Sequence, residues 1–276
     1  MTQRFAGLGP QELERLAVAL SSGRLGVSAG PLELGRLVAR EHVDAAVAGL
    51  AELDRQGFDA RQAGVVLEAL AGERRIHRAM SDRIELVWTS LEDLPSAARE
   101  TSVVVRSLCQ AARRRVLLAN FAFDRPKDWD EVAKERARWL WRPLAENMTD
   151  NPELEVTLIA EITRKQDDER DEAELVDAFV DNFRRNLWPG DRLPRIYYDQ
   201  RSARPWAQTR ERSCMHAKCI VVDDEQVLVS SANFSSVAQE RNIEVGVVVR
   251  EPRLAGQLRG EFERLLEAGV LRGAAG

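Results

Sequence analysis

Two apolar runs, Lys218–Val222 and Val227–Ser230, flank the polar stretch Asp223–Asp224–Glu225–Gln226. Short valine-rich runs joined by so brief a polar link read as an antiparallel hairpin. A lone hairpin is marginal in water, so this one predicts a larger sheet around it.

The chain upstream has the segments for such a sheet. Ile84–Trp88, Val116–Phe121, Leu154–Ile162 and Ile196–Tyr198 are apolar runs of strand length. Between them Ser102–Ala112, Glu131–Asn147 and Glu172–Leu187 read as helices, the last stopped by Pro189–Gly190. After the hairpin, Ile243–Val249 reads as a strand. Leu254–Glu267 reads as a closing helix with Leu254, Leu258, Phe262, Leu265 and Leu266 near one face. This alternation predicts an α/β fold, a mixed sheet flanked by helices on both faces.

Residues 1–80 lack strand-like runs. Leu13, Leu16, Ala17 and Leu20 form one helical stripe, opened by Pro10 and followed by Gly23. A second helix is expected from Pro31 through Leu37, a third over Asp44–Leu53, and a fourth capped by Asp59. The expected organisation is a small all-helical N-terminal domain over 1–80, for docking or assembly, followed by a catalytic-sized domain over 81–276. No apolar run reaches the ~18–20 residues of a membrane span and no signal-peptide pattern opens the chain, so a cytoplasmic protein is expected. Three cysteines, Cys109, Cys214 and Cys219, form no disulfide framework.

With a net charge of −5, the molecule as a whole is no polycation. Cations gather locally from Gly190 to Cys219, as Arg192, Arg195, Arg201, Arg204, Arg210, Arg212 and Lys218. Carboxylates gather over Asp167–Asp181. Arg201–Arg212 reads as a polar loop. Its Arg204, Trp206, Arg210 and Arg212 are candidate substrate contacts, with Trp206 the candidate for stacking on a base. Solvated loop charge is the plainer reading of such a run. Helix packing is expected for Trp139, Trp141 and Trp188, and a solvated helix end for Arg113–Arg115.

The chemistry concentrates in His216-Ala-Lys218, Asp223, Ser231-Ala-Asn233 and Glu244. His216 and Lys218 are two apart, so on a strand they share a face. The hairpin returns Ser231 and Asn233 toward them, and Glu244 opens the next strand. An imidazole, an ammonium, an amide, a hydroxyl and a carboxylate suit a phosphodiester. Lys218, Ser231 and Asn233 would hold its oxygens, and a neutral His216 would attack phosphorus. Glu244 is the candidate to fix the His216 tautomer, while Asp223 either shares that task or braces the hairpin. Cys214, His216 and Cys219 lack the further ligands for a zinc site, since Cys109, His42 and His77 are distant in the chain.

His-x-Lys-x4-Asp followed by Ser-x-Asn and Asn-x-Glu resembles the HKD motif of the phospholipase D superfamily. The resemblance implies a phospholipase-D-like domain, a covalent phosphohistidine, and no metal or other cofactor. Superfamily sites use two HKD motifs, whereas this chain has one. By resemblance the protein is therefore expected to be a homodimer with His216 of each copy facing across the interface. The helical N-terminal region, Ile84–Trp88, Thr101–Arg106 and Gln239–Gly246 resemble the DrmC family, the phospholipase-D-like components of bacterial DISARM anti-phage defence. That resemblance implies a nuclease acting on DNA, with other DISARM components as partners. The alternatives are a non-catalytic interaction component and a lipid phosphodiesterase.

Overall fold

The computed structural model describes residues 2–89, 98–124, 128–205, 214–236, 238 and 242–274. The chain divides into two compact units, Met1–Asp82 and Arg83–Gly276.

The first unit is helical: α1 (Pro10–Ser21), a single turn α2 (Pro31–Leu34), α3 (Val43–Arg55) and α4 (Ala60–Ser81). Pro10 stands where a helix needs no N–H, and Gly23 leaves α1 with φ +72°. Asp59 caps α4 by accepting the Gln62 N–H at 2.8 Å, and the Gln62 side chain returns to the Asp59 N–H at 3.0 Å. Leu13, Leu16, Leu20, Leu50, Leu53 and Leu67 are buried together with Phe5. A Cβ on Gly49 would lie 2.4 Å from the Phe5 ring, so this close approach requires glycine. The helix expected to run from Pro31 to Leu37 stops after one turn. The amides of Leu37 and Val38 both turn back to the Leu34 carbonyl instead.

The second unit is a nine-stranded mixed sheet flanked by helices, as the alternation of segments predicted. Its elements are β1 (Ile84–Thr89), β2 (Arg99–Glu100), α5 (Thr101–Ala111), β3 (Arg115–Asn120), α6 (Glu131–Trp139), α7 (Arg142–Asp150), β4 (Glu155–Ala160) and α8 (Glu172–Asn182). Then follow β5 (Arg195–Asp199), α9 (Gln200–Ala203), β6 (Cys219–Val222), β7 (Gln226–Ser230), β8 (Glu244–Val249), α10 (Pro252–Glu267) and β9 (Leu271–Gly273). The spatial order is β2-β1-β8-β7-β6-β3-β4-β5-β9. The β3, β4 and β5 strands are parallel, and β6 runs antiparallel to β3 with Cys219 opposite Ala119.

Side chains alternate across the sheet with period two. Val116, Leu118, Leu158, Ile220 and Leu228 face the core formed with Val105, Leu144 and Val176. Leu117, Ala119, Ile159, Cys219 and Val221 face Ala255 and Phe262 of α10. Cys219 therefore packs on the face opposite to Lys218.

Four local expectations change. Glu131–Asn147 is two helices, because Pro143 offers no N–H to continue the first and instead opens α7. The helix from Glu172 widens into a π turn over Phe183–Leu187, whose end places Trp188 stacked on Phe183 at 5.8 Å. Trp139 is not packed inside. It is 44% exposed, with the Arg106 guanidinium 4.3 Å above its ring. The stretch read as a loop from Arg201 begins with α9, capped by Asp199 and carrying buried Ser202 and Ala203.

Candidate active site

The antiparallel pairing of β6 with β3 decides where His216 and Lys218 sit. The start of β6 lies at the C-terminal end of β3 and next to that of β4, the rim where open α/β sheets hold ligands. His216 is exposed there, while Lys218 is 7% exposed. The Lys218 ammonium lies 3.1 Å from His216 Nδ1 and 3.2 Å from Nε2, and donates to the His216 carbonyl at 2.9 Å. An ammonium has only hydrogens to offer, so a ring nitrogen that accepts from it presents a lone pair. Burial lowers the Lys218 pKa, opposed by Cys214 and the Glu244 carboxylate nearby.

Phe121 is the floor of this group. Its ring centroid is 4.5 Å from that of His216 and 4.9 Å from the Lys218 ammonium. The next residue ties in the hairpin's far side, where the Ala122 N–H donates to Asn233 Oδ1 at 3.1 Å. Buried Asn120 accepts the Phe234 N–H at 3.0 Å and donates to the Ala122 carbonyl at 2.9 Å. Asp124 accepts the Ser236 N–H and hydroxyl. The end of β3 thus clamps the Asn233 segment against the start of β6.

Glu244 stands at the head of β8. It accepts from the Ser231 hydroxyl and, at 2.9 Å, from the Asn242 amide. Ser231 also accepts the Val245 N–H at 3.1 Å. The expected carboxylate on the imidazole is absent: among the described residues, no carboxylate is hydrogen-bonded to His216. Glu244 instead orients Ser231 and adds negative charge near Lys218.

Asp223 is at the other end of β6, five residues beyond Lys218 and so roughly 16 Å away at ~3.3 Å per residue. Its carboxylate accepts the N–H groups of Arg113, Arg114 and Arg115 at 2.9, 2.7 and 3.0 Å. Of its two expected roles, this geometry serves the brace, not the chemistry. Asp223 and Asp224 turn the hairpin with φ of 54° and 58°, a region that aspartate tolerates better than most residues. Arg113–Arg115 follow the end of α5 with largely exposed side chains, as expected, while their backbone N–H groups form the brace. Arg115 pairs with Asp224 at 2.8 Å and Arg114 with Glu225 at 3.2 Å.

Three of the described arginines in the basic run before the motif are taken up by partners within the fold. Arg192 donates to the Met148, Pro152 and Leu154 carbonyls, Arg195 pairs with Glu155, and Arg201 pairs with buried Asp199. Arg204 is exposed just after α9. Trp206, Arg210 and Arg212 lie outside the described residues.

Sequence reasoning missed Asn120, Phe121, Asp124 and Glu161. The buried Glu161 carboxylate accepts the Met215 N–H at 2.8 Å, one residue before His216, and the Thr163 hydroxyl at 3.0 Å. Burial raises its pKa against those hydrogen bonds. The available signal was a polar residue closing each of two apolar strands, Asn120 after Ala119 and Glu161 after Ala160.

Residues 159–266 match the family model described as "Cardiolipin synthase, PLD-like domain". That stretch contains His216, Lys218, Asp223, Ser231, Asn233 and Glu244. Among solved structures, the chain is similar to NucT from Helicobacter pylori at 16% identity and a TM-score of 0.41, covering 62% of this chain and 89% of that one. It is similar to the phospholipase D family member Nuc from Salmonella typhimurium at 15% identity and a TM-score of 0.42, covering 69% and 96%. A third likeness is to phosphatidylserine synthase from Haemophilus influenzae, at 16% identity and a TM-score of 0.48, covering 72% of this chain and 43% of that one. No curated protein matches the chain by sequence.

Proposed function

We propose that this chain is a metal-independent phosphodiesterase of the phospholipase D superfamily that cleaves nucleic acid, DNA first, through His216. The observation that carries the reading is an exposed imidazole held 3.1 Å from a buried ammonium, within the segment matched by the PLD-like family. His216 is accessible to a phosphodiester, and Lys218 is desolvated enough for its charge to act strongly on it.

In the first step a lone pair of His216 forms an N–P bond and the P–O bond to the leaving group breaks. Lys218 and the Asn233 amide stabilise the charge on the non-bridging oxygens; the Ser231 hydroxyl, expected to share that task, is committed as a donor to Glu244. The leaving oxygen takes a proton from the imidazolium of His216 of a second copy. That imidazole, now neutral, deprotonates a water that attacks phosphorus and restores His216. The one motif per chain supports a homodimer that pairs two sites across a twofold axis. The DrmC resemblance supports a role in DISARM-type anti-phage defence, with the helical unit docking other components.

The test is a cleavage panel on single- and double-stranded DNA and RNA in EDTA, wild type beside His216→Ala. Cleavage that survives chelation and disappears in His216→Ala is expected, from a species that light scattering shows to be a dimer. Activity that needs a divalent metal, or that His216→Ala retains, removes the reading. The description of the matched family favours a second reading, phosphatidyl transfer or hydrolysis on lipid. Turnover of phosphatidylglycerol vesicles with no cleavage of nucleic acid selects it.

A further inference from the structure

The N-terminal unit has a cavity of about 450 Å³ on whose surface Arg15, Arg36 and Arg78 converge. They come from α1, from the turn after α2 and from the last turns of α4, so helix packing rather than sequence proximity assembles them. The cavity falls within the ~300–1,000 Å³ range of small-ligand pockets.

Among the described residues these cations have no carboxylate partner, unlike Arg55 and Arg75 of the same unit, and they line one concavity together. Arg55 pairs with Glu52 and Arg75 with Glu14, while Arg74 donates to the Phe5 and Leu8 carbonyls. Arg15 spends only Nε, on the Leu37 carbonyl at 2.7 Å. Among the described residues, the side chains of Arg36 and Arg78 make no ion pair or hydrogen bond. The one carboxylate in the lining, Glu12, is already held by the N–H groups of Gly9 and Ala39 at 2.7 and 2.8 Å and by His42 Nδ1 at 3.0 Å. Three arginines against the one ionised carboxylate, Glu12, leave the concavity with an excess of positive charge and a positive potential. A guanidinium presents five donors in a planar fork that matches phosphate oxygens.

We propose that this cavity binds phosphate groups of a polyanionic ligand. The inference is independent of the chemistry at His216. The source is either a nucleic-acid backbone or a small polyphosphate compound, which share this recognition chemistry.

The test uses the full chain carrying His216→Ala, so that no substrate is consumed. Inorganic tripolyphosphate is titrated calorimetrically into this protein and into the same protein carrying Arg36→Gln and Arg78→Gln. Arg15 is left intact because it holds the Leu37 carbonyl. The exposed positions should leave helix content and melting temperature unchanged. Binding at one site per chain is expected, weakened at least about tenfold in the double variant. A parallel arm measures affinity for a labelled 20-nucleotide single strand against salt. If the backbone is the source, the slope of log K on log salt shrinks by about 1.4, roughly 0.7 per lost contact. An unchanged slope with weakened tripolyphosphate binding assigns the cavity to a small polyphosphate compound. No tripolyphosphate binding by the parent, or equal affinity in the double variant, overturns the proposal. Cleavage by the protein with His216 intact is scored separately, so failure of the nuclease reading leaves this result standing.

Discussion

The Lys218 ammonium lies 3.1 Å from His216 Nδ1, and the Phe121 ring packs against both side chains. The lysine is almost fully buried and the histidine is exposed, although they are only two residues apart. The lysine stem is inside and the imidazole is outside, which keeps the charge fixed while the ring remains reachable from solvent.

Removing that charge should damage catalysis without damaging the fold. Lys218→Met keeps the buried stem and deletes the ammonium. We expect kcat/KM for the scissile substrate to fall about 100- to 1,000-fold, the usual loss for one transition-state charge stabiliser. Thermal melts should change little, since a partly desolvated cation is exchanged for an apolar end of similar length. A loss below threefold would remove Lys218 from the machinery.

Asp223→Ala should behave in the opposite way. Three backbone N–H groups lose a charged acceptor and the residue has φ 54°, where alanine is strained. A destabilisation of about 2–4 kcal/mol is expected from urea melts. At a temperature where the variant remains folded, cleavage per folded molecule should stay within about threefold of wild type, as for a group acting only through stability. A folded variant with no activity would return Asp223 to the chemistry.

Glu161 acts through the Met215 N–H, which it holds one residue before His216. Its carboxyl is raised from 4.5 by burial. A group raised on folding gives stability that is fully present below its unfolded value and lost as pH rises through the folded one. Wild type should therefore gain stability as pH falls toward about 4.5, and Glu161→Gln should show less of that gain. Because Gln keeps only one acceptor oxygen, the His216 segment loosens. We expect kcat to drop about tenfold with KM little changed, the mark of misplacement rather than lost binding.

The Glu12–His42 pair gives the reverse sign in the helical unit. Burial pushes Glu12 upward, but hydrogen bonds from Ala39, His42 and Gly9 outweigh it and hold the carboxyl at about 2 instead of 4.5. A depressed carboxyl gives stability above its unfolded value that is lost as pH falls through the folded one. Glu12→Gln should cost on the order of 2 kcal/mol at pH 7, and the gap to wild type should narrow between pH ~4.5 and ~2. Denaturant melts at pH 7, 4 and 3 measure it, and a gap that does not change with pH would exclude the ionised Glu12 carboxylate as its source.

The hairpin, the helices α1, α3 and α4 and most strands were legible in the chain because each depends on short-range pattern. Valine and isoleucine runs, Asp-Asp at the turn, and Asp59 three residues before Gln62 act within a few residues of themselves. The two strands that sequence reading left out, β2 and β9, have only two and three residues and no apolar alternation. They exist because a neighbouring strand offers free N–H and C=O groups at its edge.

What only tertiary structure decided is which charged groups lie together at the sheet rim and which hold the frame. His216, Lys218, Ser231, Asn233, Asp223 and Glu244 stand out alike in the sequence, yet β6 puts Asp223 and Lys218 at opposite ends. Arg192, Arg195 and Arg201 read as a basic approach but are taken up by carbonyls, exposed Glu155 and buried Asp199, whereas Arg15, Arg36 and Arg78 look unrelated and line one concavity. Residue type sets what a side chain can donate or accept. Whether it is free to do so depends on partners brought from dozens of residues away, and strand pairing and helix packing supply those.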